Sequence, residues 1–242
     1  MNAADLDQLD TLLLAPARAV ASMREVHAGA TDRDIVGMRH DVDDNPGALQ
    51  TAVKMAAWEA ERGYRSTYFM LHTATYWNDD ATFRGALDQI AGLDHEIGLH
   101  ANALAESLLY GGPPDDILQC ALDQLRAYEH TVTGVVGHGD QLCRLAGFVN
   151  DEMFLECARS DQGAPDRHVT FRGRRLRLTP RPLADFGLEY VSIWLPRGRM
   201  LSDSGGSWHV PPETVVDGPG QLHVLQHSDW WAAAFPTEET TR

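Results

Sequence analysis

The chain predicts an α/β fold of parallel strands joined by helical crossovers, and three observations carry that prediction. Short stretches rich in β-branched and aromatic residues alternate with longer ones whose apolar residues recur at helical spacing, as strand–helix–strand units require. The strand candidates end in Asp or His: Asp41 and Asp43, His72, His100, His138, Asp203 and His227. In a barrel of parallel strands the C-terminal ends converge on one face, and that face carries the chemistry. Finally, 242 residues with 43% hydrophobic content suffice for a sizeable core, and no Pro/Gly/Ser-rich linker divides them, so a single domain is expected.

Taken in order, residues 1–32 read as a helical lead-in broken at Pro16, and residues 33–242 as the α/β domain. Its first strand spans about 34–41, followed by a helix over 46–62 with Leu49, Ala52, Val53, Ala56 and Ala60 on one face and Gly63 as a stop. Ser66 to Leu71 forms the second strand and Asp80 to Ala91 a helix with Phe83, Leu87 and Ile90 inward. His95 to His100 is a short strand. Pro113 and Pro114 open a helix carrying Ile117, Leu118, Ala121, Leu122, Leu125 and Tyr128. Gly134 to Gly137 is a strand and Asp151 to Arg159 a helix. Leu188 to Trp194, Arg199 to Leu201 and Leu222 to Gln226 complete the strands.

The formal charge is 20 − 35 = −15 with His neutral, which argues against nucleic acid or an anionic membrane as partner. A small-molecule substrate is expected instead. One basic island interrupts the acidic chain: Arg167, Arg172, Arg174, Arg175, Arg177 and Arg181, read as a solvated hairpin turning at Arg172-Gly173-Arg174, with an anion clamp as the weaker reading. Cys120, Cys143 and Cys157 have neither the number nor the spacing of a disulfide framework or zinc motif. Reduced thiols, an acidic N-terminus without a signal-peptide pattern, and no apolar run of membrane-spanning length predict a cytoplasmic protein.

The chemistry centres on Arg39-His40-Asp41-Val42-Asp43-Asp44-Asn45-Pro46, where a strand opens toward a helix. Asp41 and Asp43 lie two apart and so share a face. Two carboxylates in one small space require a cation, a shared proton or abundant water. Helix capping by Asp44 or Asn45 before Pro46 is the bland alternative, and it leaves Asp41 and Asp43 unexplained.

These residues resemble the motifs of the polysaccharide deacetylases, carbohydrate esterase family 4, in a divergent branch. Asp41-Val42-Asp43 is similar to the family's Asp-x-Asp pair, and Asp94-His95-Glu96-Ile97-Gly98-Leu99-His100 to its Gly-His-Glu-Ile-Gly-x-His run. Asp203 to Trp208 resembles the Asp and Trp motif, and Leu225-Gln226-His227-Ser228 the Leu-x-His-Pro motif, the likeness running over about residues 33–231. The resemblance implies a distorted (β/α) barrel and hydrolysis of an N-acetyl group. It makes Asp41 the general base, His227 the general acid held in its tautomer by Asp203, and Asp43 and His100 metal ligands, with Trp208 walling the pocket. Arg39, His72, His138 and Trp230 are the further expected substrate contacts.

Two departures stand out. The family's third ligand follows the first histidine by four residues, and here that position is Leu104. Asn102, His95, His72, His138 and Glu106 are the candidates for its place; His95 falls on the opposite strand face, and an amide such as Asn102 is a poor zinc ligand. The family's Arg-x-Pro-aromatic motif, which holds the base, is replaced by Val136-Gly137-His138-Gly139-Asp140. The implied cofactor is a divalent metal, zinc for such donors, with a metal-free enzyme as the alternative. The leading expectation is a deacetylase-type hydrolase acting on the C–N amide bond of an intracellular small molecule or sugar conjugate. The alternative is a non-hydrolytic cyclase, lyase or isomerase of a biosynthetic pathway on the same scaffold, using Asp41 and His227 as base and acid. A binding module without chemistry would be expected to shed the Asp41, Asp203 and His227 set, which the chain retains.

Overall fold

The computed structural model describes residues 1–30, 32–157 and 167–235. In chain order its regular elements are α1 (Ala3–Leu9), β1 (Ala19–Ala21), α2 (Met23–His27), β2 (Ile35–Val42), α3 (Ala48–Ala60), β3 (Thr67–Leu71), α4 (Asp80–Gly92), β4 (Glu96–Ala101), α5 (Ala103–Tyr110) and α6 (Pro114–Ala127). They continue with β5 (Gly134–Gly137), α7 (Gln141–Ala146), β6 (Arg167–Phe171), β7 (Arg174–Leu178), β8 (Tyr190–Val191), β9 (Arg199–Ser202) and β10 (Leu222–His227). The strands of the main sheet are parallel and form the distorted (β/α) barrel expected of the chain.

Two compact units make up the chain: residues 1–70, 74–97 and 195–242, and residues 71–73 and 98–194. In the first, the strand order is β9-β10-β2-β3. β10 lies parallel to β2 along its length, from Leu222 opposite Val36 to His227 opposite Asp41. On the other edge of β2, β1 covers Ile35–Gly37 and β3 then takes over from Arg39. The expected all-helical lead-in thus contains a strand. Three residues, Ala19-Val20-Ala21, are too few to show a period of two, and their place is set by pairing to β2. Met38, Val42, Tyr68, Phe69, Met70, Met55, Phe83 and Leu87 fill this unit's core.

The second unit has the strand order β4-β5-β8. Leu118, Leu122 and Leu125 of α6 are buried, as the helical spacing predicted. The basic island forms the β6–β7 hairpin, with Arg172 (φ 47°) and Gly173 (φ 79°) at its turn. Val169 and Leu178 point inward, while His168, Thr170, Arg175 and Arg177 face solvent. Two helices beyond the expected elements, α5 and α7, lie in this unit. The helix expected from Asp151 is instead two 3₁₀ turns, Asn150–Met153 and Leu155–Cys157, and its far end at Arg159 lies outside the described residues. Leu188 to Trp194 gives only the two-residue β8 and then a 3₁₀ turn.

The capping alternative for Asp44 and Asn45 does not hold. α3 starts after Gly47 (φ 80°), which offers no side-chain cap, so the helix begins later than Pro46 suggested. Asp44 Oδ1 instead accepts from Thr75 N and Oγ1 at 2.8 and 2.6 Å, and Asn45 Nδ2 donates to Asp229 Oδ2 at 2.7 Å. The polar residues after β2 are committed to tying loops together.

Candidate active site

In the first unit the ends of β2, β9 and β10 gather carboxylates around one imidazole. Parallel register puts His227 directly opposite Asp41, which is 4% exposed. His227 Nδ1 donates to Asp203 Oδ1 at 2.7 Å, and its backbone N–H donates to both Asp203 oxygens at 3.0 Å. Trp231 Nε1 donates to Asp203 Oδ2 at 2.7 Å. Asp203 is thereby held at four points and fixes the Nδ1–H tautomer of His227. Burial by itself would lower the His227 pKa. The Asp203 hydrogen bond and the charges of Asp41, Asp203 and Asp43 outweigh it and raise the value to about 9.

Arg39 shares the inward face of β2 with Asp41; its Nη2 lies 3.6 Å from Asp41 Oδ2, and its guanidinium stands 6.0 Å over the Phe69 ring. The side chain is buried. Trp208 is half-buried, its ring 5.6 Å from that of Trp231, whereas Trp230 is exposed and packs over Gly206. Asp229 was not singled out from the sequence. Burial, then the Asp43 charge, raises its pKa, while His227 pulls the other way.

On the outward face of the same strand sits a second polar cluster that sequence reasoning missed. The fully buried Glu59 of α3 accepts from Ser66 Oγ at 2.6 Å and Tyr68 Oη at 3.0 Å, and His40 Nε2 lies 2.7 Å from its other oxygen as an ion-pair partner. His95 lies 3.7 Å away and binds Ser66 N and Ala56 O, so it is structural, as its strand parity indicated. Burial would raise the Glu59 carboxyl; the charge and hydrogen bond of His40, with His95, bring it below its ordinary value. The signal was present as a lone Glu on the apolar stripe of α3.

In the second unit the histidines at the ends of β4 and β5 face each other. His100 Nδ1 lies 3.2 Å from Val136 O, and its Nε2 lies 3.1 Å from His138 Nδ1. An Nδ1–H donated to a carbonyl leaves Nε2 with its lone pair, the tautomer of a metal-bound imidazole. The His138 backbone is clamped: its N–H donates to Ala101 O at 2.8 Å and its C=O accepts from Asn150 Nδ2 at 2.8 Å. Gly137 just before it donates to Asp151 Oδ1 at 2.6 Å, and a Cβ there would come within 2.5 Å of that oxygen. Two imidazole nitrogens turned toward each other are a suitable pair of donors for a divalent ion.

The other candidates for the third ligand are engaged elsewhere. Asn102 spends its amide on Asp140 and Asn150. Leu104 is buried in α5 with its N–H on Asn150 Oδ1. His72 Nε2 accepts from Asn102 N at 2.8 Å and Nδ1 lies 3.4 Å from Glu106 Oε2, and burial, then the His100 and His138 charges, lowers its pKa to about 4. Where the sequence put His72 against a substrate, the structure engages both its ring nitrogens with protein, and the ring braces the start of α5.

No protein-family model and no curated protein sequence matches the chain. Among solved structures it is similar to a CE4 esterase. That protein, from Streptococcus mutans, is 14% identical, with 90% of this chain and 82% of the other covered and a TM-score of 0.46. All three cysteines are free thiols, and no helix among the described residues is long and apolar enough to cross a membrane.

Proposed function

We propose that this protein is a deacetylase-type hydrolase that removes an N-acyl group from a small molecule or sugar conjugate inside the cell, with Asp41 as general base and His227 as general acid. The observation that carries this reading is the register of β2 and β10, which sets Asp41 opposite an imidazole that Asp203 holds in one tautomer. An amide is hydrolysed when a water loses a proton as it attacks and the amine gains one as it leaves. Asp41 takes the first proton. With a pKa near 9, His227 carries its proton at neutral pH and gives it from Nε2, because Nδ1 is occupied by Asp203.

The donors proposed for a divalent ion in the second unit are His100 and His138, the latter taking over from the residue that Leu104 replaces. Paired imidazoles suit zinc, which when bound would polarise the acyl carbonyl. Arg39 steadies Asp41 from the same strand face, and Trp208 and Trp230 offer ring surface to the substrate.

The test is acetate release from a panel of N-acetylated small molecules by wild type and Asp41→Asn. Loss of about 10²-fold or more in kcat is expected of a missing base. Full activity in the variant would refute the assignment; an altered, non-hydrolysed product would favour a cyclase or lyase instead.

A further inference from the structure

Arg39 is buried to an extent that its partners do not explain. Its side chain is 8% exposed, its nearest carboxylate oxygen is Asp41 Oδ2 at 3.6 Å, and that separation is too long for a well-formed charge-assisted hydrogen bond. Among the described residues no acceptor lies within hydrogen-bonding distance of the buried Nη1. A guanidinium removed from water is costly unless its donors are met.

Arg197 and His223 lie close enough to Arg39 for its charge to act on both. His223 lies on β10 two residues before Leu225, which stands opposite Arg39, and it packs against Gly37, where a Cβ would come within 3.1 Å of the imidazole. Burial, then the charges of Arg197 and Arg39, lowers the His223 pKa to about 4, so it is neutral at pH 7. Burial, then Arg39, also lowers the pKa of Arg197.

We propose that Arg39, flanked by Arg197 and His223, is a binding site for a small carboxylate on the inward face of β2, one step before Asp41. Carboxylates match the planar fork of a guanidinium, and only a small ligand reaches a group so covered. Two sources share this chemistry: the free acid that an acyl hydrolase releases, and a carboxylate carried by the substrate itself. Binding requires no turnover, so the site stands or falls separately from the function proposed above.

Calorimetric titration with acetate and, separately, N-acetylglycine, each against chloride at matched ionic strength, tests it. Saturable one-to-one binding of a carboxylate but not of chloride is expected, weakened about tenfold or more in Arg39→Met. The tighter of the two ligands names the source. Binding to a metal ion would persist in Arg39→Met and would overturn the proposal, as would absence of saturable carboxylate binding to wild type. Should Arg39→Met fail to fold, Arg39→Lys retains the charge without the fork and is expected to bind more weakly, and equal binding there would also overturn it.

Discussion

At the residue scale, neighbouring groups set the protonation of His227. Its folded pKa, about 9, exceeds the ordinary 6.5, so ionised His227 stabilises the fold fully below about pH 6.5, and that contribution drains away as pH rises through 9. The linked free energy is on the order of 3 kcal/mol. Thermal midpoints of wild type measured from pH 6 to pH 10 are expected to fall across this window, and Asp203→Asn to flatten the fall. A pH-independent difference between the two proteins would contradict the coupling. On the reaction side, the alkaline limb of kcat should track the same group and move to lower pH in Asp203→Asn, because the hydrogen bond and charge that raise the pKa are gone.

At the element scale, the ends of the strands were the part of the site that could be read from the order of amino acids. Asp41, His100, His138, Asp203 and His227 terminate or follow strands whose short apolar runs are visible, and strand parity correctly sent His95 outward to Ser66 and Ala56. Contacts between distant segments were not legible: Asn102 with Asn150, Gly137 with Asp151 and Trp231 with Asp203 join residues that no local periodicity links. The same limit hid the sharing of Glu59 between His40 and His95. Glu59→Ala would strand His40, Ser66 and Tyr68 in the core, and a loss of about 3–5 kcal/mol is expected in denaturant unfolding. A loss below about 1 kcal/mol would mean that the cluster is not a paired unit. Gly137→Ala forces a Cβ against Asp151 and should displace His138, costing about 1–3 kcal/mol together with metal affinity.

At the scale of the whole molecule, alternating strand and helix patterns were enough for the α/β class and the parallel sheet, because each crossover helix must bury one apolar stripe. The short β1 and β8, with α5 and α7, escaped because tertiary pairing and packing rather than propensity define them. The net charge of −15 coexists with an outward hairpin face bearing Arg175 and Arg177, so charge is distributed by element rather than uniformly.

In the proposed reading Asp41 and His227 are base and acid, and a divalent ion is expected on the His100 and His138 pair. Metal content measured by elemental analysis of protein purified without added metal tests it most directly. Close to one divalent ion per chain is expected in wild type and in Asp41→Asn, and strong depletion in His138→Ala. A metal-free protein that still releases acetate, or undiminished metal in His138→Ala, would contradict it.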